Sequence, residues 1–436
     1  MFLSIIQNRI ATQNLISSRL LSGIGWSVAG SGLSYTCKLL SSVIIARILG
    51  QIDFGKFGLI TSTILLFGTF AGLGLGMTGT KYLAEYRQDL PRAGRVIALL
   101  LMVGTLLGII LATLTYSIVP FLSANVLNSP QLYNELYIGS YFLLFSVLVG
   151  VELGILAGFE QFRTLAVISI FEGLSLLALT FAGAFWGGLQ GAIWGFGAGA
   201  FVTWIVCSFY LVRYCLKSDI HIALEVGGVE WMMLWEFALP SLIILICTQP
   251  FVWFTRIILA NQPGGYAELG LLNVGFVWGQ LLIFLPRQIS KPALPIMTNM
   301  IAEHNVAGFK RVFKSNLYLS LAVTLVLVLP VAFLSKVIMG YYGSDFEPGW
   351  LVLTLMVVAY GIGAITIAFR DIIAALGQMW WQAGHSLVWG MLLITIAYGL
   401  RAHGAVGIAS AFCVAYLCLV CIQTIYLHRS LNFVSL

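Results

Sequence analysis

Charged residues are scarce in this sequence, and their scarcity excludes most soluble folds. Asp, Glu, Lys and Arg make up 9% of the 436 residues, whereas hydrophobic residues make up 60% and the mean hydropathy is +0.99. A soluble domain carries about 25% charged residues, because its surface must be hydrated. Stretches without any charge, such as 57–80, 315–335 and 372–400, reach the roughly 20 apolar residues that a helix needs to cross a bilayer. The sequence therefore predicts an all-α polytopic membrane protein.

Motifs of soluble catalysis are also absent. The sequence contains no GxxxxGK[ST] loop for ATP, no HExxH zinc motif and no GxSxG nucleophile turn. The seven cysteines lie in or beside hydrophobic runs without metal-ligand spacing, so we interpret them as packing residues. The net charge of +6 comes from basic residues scattered among short loops, which is not a nucleic-acid footprint. We therefore expect no enzyme activity, no cofactor, no metal and no nucleic-acid partner.

Twelve hydrophobic segments are long enough to span a bilayer. Their predicted bounds are 21–45, 57–80, 95–119, 136–158, 164–186, 190–212, 233–256, 268–288, 315–335, 349–370, 379–399 and 404–427. Sixteen Lys and Arg residues lie at the termini and in the loops after even-numbered helices, and Lys38 lies inside helix 1. Five are counted on the opposite face: Arg47, Lys56, Arg256, Lys336 and Arg401. Because cytoplasmic loops are enriched in Lys and Arg, both termini are expected in the cytoplasm.

The two halves of the chain repeat one another weakly. Three pairs of short motifs occur in the same order, namely Arg47-Ile48 to Gly58-Leu59 with Arg256-Ile257 to Gly270-Leu271, Glu152 to Gly158 with Asp371 to Gly377, and 191–195 with 404–407. This order predicts two six-helix bundles related by a pseudo-two-fold axis along the membrane normal. The predicted domains are an amino-terminal bundle of residues 1–215, a cytoplasmic linker of residues 216–230 and a carboxy-terminal bundle of residues 231–436.

Helix 1 carries a stripe of polar residues at spacings of three or four, which places them on one helical face: Ser27, Ser31, Ser34, Lys38 and Ser41 or Ser42. Serines alone are typical of a seam of small residues between membrane helices. Lys38 favours a cavity wall that binds an anion, because no acidic residue lies within four positions and a charge at mid-bilayer costs about 2.5–3.5 kcal/mol. Ser31, Ser34 and Lys38 are therefore candidate substrate-binding residues, with the seam as the alternative.

Two further sets of polar residues lie in predicted spans. Helix 8 carries Asn273, Gln280 and Arg287 at spacings of seven, and Lys291 four residues later. Asn273, Gln280 and Arg287 are candidate substrate-binding residues, although Arg287 and Lys291 fit the cytoplasmic interface equally well. Glu152 and Glu172 are candidate ion-coupling sites for protons or cations, with a buried ion pair as the alternative.

Several motifs in helices 1–3 carry a family resemblance. They are Ala46-Arg-Ile-Leu-Gly50, Asp53-Phe-Gly55, Phe57-Gly58, Gly72-Leu-Gly-Leu-Gly76 and Lys81-Tyr-Leu-Ala-Glu85. Together they resemble the amino-terminal signature of the Wzx-type polysaccharide biosynthesis flippases, in the multidrug/oligosaccharidyl-lipid/polysaccharide exporter superfamily. Gln51 stands where the family often has Pro, and Lys56 precedes an aromatic residue that is more often Tyr. Neither departure concerns the fold.

The resemblance implies a transporter in the bacterial cytoplasmic (inner) membrane. Such a protein flips an undecaprenyl-pyrophosphate-linked oligosaccharide outward by alternating access, for O-antigen, capsule or exopolysaccharide biosynthesis. Its implied partners are this substrate, membrane lipids, and neighbouring polysaccharide polymerases and glycosyltransferases. Trp26, Trp253 and Trp278 suit sugar stacking. A multidrug or cation antiporter of the same superfamily is the alternative. A polysaccharide polymerase or ligase is disfavoured, because the longest external segment is only about residues 120–135.

Overall fold

The computed structural model describes residues 2–222, 231–232, 234, 248–290, 293–303, 305–376 and 378–434, and these residues contain helices and turns but no strand. We call residues 2–222 the first part of the chain and residues 248–434 the second part. Glycines divide two long helical stretches of the first part. Gly50 (φ 75°, ψ 174°) divides Phe2–Glu85 into α1 (2–49) and α2 (51–85). Gly187 and Gly188 (φ 55°, ψ −138° at Gly188) divide Phe162–Lys217 into α6 (162–186) and α7 (189–217). Since glycine adopts positive φ without steric cost, the chain reverses at these points.

The remaining helices of the first part are α3 (Leu90–Phe121), a π-helical turn (Leu122–Val126), a 3-10 turn (Pro130–Leu132), α4 (Tyr133–Tyr141) and α5 (Leu143–Gly158). The second part consists of α8 (Gln249–Ala260), α9 (Gly265–Ser290), α10 (Ala293–Ala302), α11 (Val306–Phe333), α12 (Ser335–Tyr342), a 3-10 turn (Ser344–Gly349), α13 (Trp350–Ala375), α14 (Met379–Gly399), a 3-10 turn (Arg401–His403) and α15 (Gly404–Val434). Seven stretches of the described chain are long and apolar enough to cross a membrane.

The predicted spans agree with these helices apart from a few local differences. Predicted helix 4 is two helices, α4 and α5, which meet at Phe142. The short helices α10 and α12 follow longer spans and carry too few residues to give a hydropathy signal of their own. Most of predicted helix 7 before Thr248, and most of the predicted linker after Ile222, lie outside the described residues. The predicted domain boundary therefore stays a prediction.

Matching turns accompany the two halves of the sequence repeat. Gly188 joins α6 to α7 with φ 55° and ψ −138°, and Gly404 begins α15 after α14 with φ 61° and ψ −143°. Each is followed three residues later by a glycine. A Cβ on Gly191 would overlap the Gly183 carbonyl of α6, and a Cβ on Gly407 would overlap the carbonyl of Leu400, the residue after α14. The repeat therefore aligns Gly188 with Gly404, three residues away from the alignment that the sequence motifs predict.

Glycine also brings helices of the first part into backbone contact. A Cβ on Gly154 of α5 would overlap the backbone of Gly76 on α2, and a Cβ on Gly76 would overlap the Gly150 carbonyl. Close approach of this kind is how membrane helices gain packing energy where lipid supplies no hydrophobic driving force. Large apolar side chains such as Phe333 and Trp186 are 89% and 84% exposed, as expected for surfaces that face lipid.

Candidate functional site

The first part of the chain is fastened to the second part by hydrogen bonds near the α1–α2 turn. Arg47 donates to the Tyr341 carbonyl (2.6 Å), Gln51 to the Ala267 carbonyl (3.1 Å) and Trp253 to Thr63 Oγ1 (2.8 Å). The turn after α3 joins the same set, since Asn128 donates to Asn261 (2.9 Å), Asn261 to the Val126 carbonyl (2.9 Å) and Tyr266 to the Leu127 carbonyl (3.0 Å). We call this set of contacts the closure.

Arg256 and Asn273 form the buried centre of the closure. The Arg256 guanidinium donates to Asn273 Oδ1 and to the Gly58 carbonyl (3.4 Å), and it lies 4.0 Å from the Phe276 ring centroid. Asn273 in turn donates to the Phe54 carbonyl (3.1 Å). The loop-charge count placed Arg256 in an external loop, which is wrong, because it lies inside α8 and is 8% exposed.

Asn273 therefore lies in the interface between α9 and α2. To bind substrate as predicted, its side chain would have to break its hydrogen bond to the α2 backbone. It is 4% exposed, and its amide is shared between Arg256 and carbonyls of α2. A Cβ on Gly58 would overlap the Asn273 side chain, so the glycine allows the two helices to approach.

A smaller network seals the inner edge of the closure. Ser42 Oγ and Tyr342 Oη are 2.9 Å apart, and Trp278 Nε1 donates to the same Tyr342 hydroxyl (3.2 Å). Ser42 lies on α1 and Trp278 on α9, so the hydroxyl of Tyr342 on α12 bridges the two parts of the chain. The indole N–H of Trp278 thus donates in this smaller network, and that of Trp253 donates in the closure.

Lys38 lies one turn of α1 away from Ser42, about 6 Å along the helix axis. Its Nζ is 2.8 Å from Glu172 Oε1 on α6, and the two side chains are 36% and 34% exposed. The expectation of an unpaired ammonium is therefore wrong: a carboxylate 134 positions away neutralises it, which a search within four residues could not detect. For Glu172, the structure has the ion pair that the sequence analysis gave as the alternative to an ion-coupling site.

The other candidate residues of α1 and α9 are placed as follows. Ser34 is buried where Gly173 of α6 packs against α1, and Ser31 is half-buried three residues earlier. Tyr35 contacts Phe284 of α9 with ring centroids 5.1 Å apart. On α9, Gln280 lies between Trp278, which shares the Tyr342 hydroxyl with Ser42, and Phe284, which contacts Tyr35.

The other candidate residues of α9, Gln280 and Arg287, are both exposed. Arg287 lies three residues beyond Phe284, and Lys291 lies outside the described residues. Trp26 is 42% exposed, with the Arg163 guanidinium 5.5 Å from its ring centroid. The structure thus pairs Lys38 with Glu172 in the interval of α1 between Tyr35 and Ser42, and Gln280 lies in the interval of α9 between Phe284 and Trp278. We call Lys38, Glu172 and Gln280 the central site.

Glu152 forms its hydrogen bond with α7 and not with a residue of the central site. It is 3% exposed on α5, and its Oε1 accepts from Ser208 Oγ of α7 (2.8 Å). Among the residues that the structure describes, its Oε2 has no hydrogen-bond partner. An ionised carboxylate in such a setting would be costly without a proton or a cation. The described residues hold no group of three His, Cys, Asp or Glu side chains that could bind a metal ion.

The sequence profile of the family described as "Polysaccharide biosynthesis protein" matches residues 20–289. The chain belongs to this family. Two polysaccharide biosynthesis relatives, each named "EPS I polysaccharide export inner membrane protein EpsE", are 24% identical to it. The Ralstonia nicotianae protein aligns over 420 residues and the Ralstonia solanacearum protein over 414 residues, with 93% of this chain and 92% of each relative covered.

Solved structures share the fold of this polysaccharide biosynthesis family member. An inward-facing multidrug resistance MATE transporter of the MOP superfamily superposes with a TM-score of 0.81 at 12% identity, covering 94% of this chain and 99% of that chain. An outward-facing MATE transporter gives 0.71 at 12% identity, covering 96% of each. The lipid II flippase MurJ, in an inward closed conformation, gives 0.74 at 16% identity, covering 94% and 90%. The chain therefore has the fold of about twelve helices in two pseudo-two-fold-related bundles.

The sequence analysis missed the buried role of Arg256. One signal was available, since Arg256 lies three residues after Trp253 and is followed by Ile257, Ile258 and Leu259, a setting more typical of a helix than of a loop. Because the predicted span ended at residue 256, the charge was assigned to the loop.

Proposed function

We propose that this protein flips a lipid-linked oligosaccharide across the bacterial inner membrane for polysaccharide export. Membership of the polysaccharide biosynthesis family supports this, as do the relatives named as polysaccharide export inner membrane proteins and the fold shared with a lipid II flippase. The oligosaccharide would be supplied by glycosyltransferases and consumed by a polymerase. The protein itself needs no catalytic group, because the substrate is moved and not altered.

The observation that carries the proposal is the Lys38–Glu172 ion pair, whose side chains remain 36% and 34% exposed among apolar helices. Glu172 neutralises Lys38 and lowers the cost of holding an ammonium group among apolar helices. An undecaprenyl-linked sugar brings a pyrophosphate with more negative charge than one carboxylate. This anion displaces Glu172 from Lys38, and Gln280 offers amide donors and acceptors to the substrate from the facing helix.

The closure lies at the external end of the helices in this proposal, and both termini lie in the cytoplasm. The loop-charge bias supports this orientation. The state described here is then inward-facing, with the central site reached from the cytoplasmic side. The higher TM-score against the inward-facing MATE structure than against the outward-facing one agrees with this assignment.

Glu152 is our proposed ion-coupling residue. One oxygen of its buried carboxyl group has no hydrogen-bond partner in the described part of the chain, so the group can take up and release a proton during the transport cycle. Glu172 was the other candidate, but its pairing with Lys38 leaves it less suited to bind a free cation. A multidrug or cation antiporter would depend on the Glu172 carboxylate to bind a cation, whereas a flippase of an anionic lipid would depend on Lys38.

The test is surface polysaccharide in the native host, measured for each variant at matched amounts of membrane protein. Lys38→Ala should lose most of the polysaccharide, because it removes the anion-binding group, and Lys38→Arg should keep part of it, because the charge survives in a different shape. Glu172→Gln is the matched control on the other side of the pair, and it should retain export. Full export by Lys38→Ala would reject the anion site. Loss of drug efflux in Glu172→Gln, with polysaccharide unchanged in every variant, would favour the antiporter.

A further inference from the structure

Arg256 is a buried cation with no carboxylate partner among the described residues. It is 8% exposed, and within that part of the chain its hydrogen-bond acceptors are the Asn273 side-chain amide and the Gly58 carbonyl. The face of Phe276 covers the guanidinium at 4.0 Å. Among the residues that the structure describes, no carboxylate forms a salt bridge with it, in contrast to Lys38 with Glu172.

This environment solvates the guanidinium without neutralising it. Carbonyl and amide dipoles replace some of the hydration that the charge loses, and an aromatic face adds a cation–π contribution. A charge that is removed from water and left without a counter-ion is nonetheless unfavourable relative to a paired one. Arg256 therefore retains a capacity to bind an anion that the closed protein leaves unused.

The partners of Arg256 belong to different parts of the chain. Asn273 is on α9, next to α8 in the second part, whereas the Gly58 carbonyl is on α2 in the first part. When the two parts separate at the closure, Arg256 keeps Asn273 and loses Gly58. Its free N–H groups then face the opening, in the planar arrangement that binds phosphate with two parallel hydrogen bonds.

We infer that Arg256 is a second anion-binding residue, which binds the pyrophosphate of the substrate only when the closure is open. The inference rests on the proposed function and extends it. Lys38 is on α1 and Arg256 is on α8, so the pyrophosphate passes from the first part of the chain to the second as the protein opens. Because the anion and the Gly58 carbonyl compete for the same guanidinium, anion binding shifts the population toward the open state.

Inorganic pyrophosphate is the probe, and external accessibility of the closure is the readout. Ser42→Cys, a nearly isosteric change at a residue that is 7% exposed, serves as a reporter in the full chain, held in sealed right-side-out membrane vesicles so that added reagent meets only the external face. A membrane-impermeant maleimide reports how often the closure opens, and the chain without Ser42→Cys gives the background from native cysteines. Chloride at equal ionic strength controls for screening.

We expect pyrophosphate to raise the labelling rate of Ser42→Cys several-fold when Arg256 is present. Arg256→Met should abolish this increase, and it should fold well, since an apolar side chain of similar length suits a buried site. Arg256→Lys should keep part of the increase. Thr63→Val is the control for a weakened closure, because it removes the acceptor of Trp253 and leaves Arg256 in place. It should raise the basal rate and preserve the response to pyrophosphate.

An equal response to pyrophosphate in Arg256→Met, or no response in the parent chain, would overturn the inference. Flipping of lipid-linked oligosaccharide, measured in parallel in vesicles, separates this failure from that of the proposed function. Normal flipping without any role of Arg256 in the anion response rejects only the second site. A parent chain that flips no lipid-linked oligosaccharide, but responds to pyrophosphate through Arg256, rejects the proposed function and keeps the anion site.

Discussion

Lys38 and Glu172 are 134 residues apart in the sequence, and their side chains meet with Nζ 2.8 Å from Oε1. Exchanging the two charges tests whether pairing alone is sufficient. Lys38→Glu places two carboxylates together and Glu172→Lys places two ammonium groups together, so each single variant should accumulate poorly in the membrane. The double variant should accumulate normally but should not export polysaccharide, because its cation has moved from α1 to α6.

Immunoblots of membrane fractions and surface polysaccharide are the two measurements. Export by the double variant at the wild-type level would show that the position of the cation is unimportant, and it would remove Lys38 as a specific anion site.

Glu152→Gln tests ion coupling. Glutamine keeps an oxygen that can accept the hydrogen bond of Ser208, but it cannot exchange a proton. We expect normal folding and a loss of the acceleration that an imposed pH gradient gives to flipping in proteoliposomes. Ser208→Ala is the control, since it removes the hydrogen bond and leaves the carboxyl group. If Glu152→Gln responds to the gradient as the parent does, Glu152 is not the coupling residue.

The α2–α5 contact gives a prediction about stability. Gly154→Ala places a methyl group on the backbone of Gly76, so helices that now touch must separate. Overpacking of this kind costs about 1–3 kcal/mol. Thermal unfolding of the purified protein in detergent should show a lower midpoint for Gly154→Ala. Gly384→Ala is the matched control, because nothing lies within 4 Å of the new methyl group and alanine favours a helix. Equal midpoints would contradict the close packing.

Locking the closure should stop transport. Asn128 and Asn261 are both exposed, and their side-chain amides are joined at 2.9 Å. A short cross-linker between Asn128→Cys and Asn261→Cys should hold the two parts of the chain together and block flipping, and cleavage of the linker should reverse the block. Each single-cysteine variant, treated in the same way, should keep its activity. Undiminished flipping by the cross-linked protein would mean that the closure need not open.

Alkaline-phosphatase fusions test the orientation. Fusions after Asn128 and Gly343 should be active, because both residues lie at the end of the molecule that we assign to the exterior, and fusions after Pro91 and Asn305 should be inactive. The opposite pattern would reverse the topology and place the closure on the cytoplasmic side.

The helices were predictable because the bilayer imposes length and apolarity on every span. The turn at Gly188 was also accessible, since a glycine-rich break in a long hydrophobic run marks a reversal of the chain. The turn at Gly50 lies in the polar gap between predicted spans 21–45 and 57–80. Short helices such as α10 and α12 were not, because ten or fewer residues give no periodic signal of their own.

The site was predictable in part. Intramembrane polar residues are rare enough that Lys38, Glu172 and Gln280 could be selected from composition alone. The pairing of Lys38 with Glu172 could not be predicted, because it depends on which helices become neighbours in the fold. The same limit applies to Asn273, which sequence spacing assigned to the same face as Gln280, although α2 covers one and leaves the other exposed.

Several bonds of the closure end on main-chain oxygens, among them the carbonyls of Tyr341, Ala267, Val126 and Leu127. Every residue type offers a carbonyl, whereas each donor must be a particular side chain, and both parts of the chain supply donors as well as acceptors. The hydrogen bonds of the closure therefore constrain the side chains of the donors and not those of the four acceptor residues. Sequence change at the acceptor positions leaves these bonds available, provided that the backbone keeps its path.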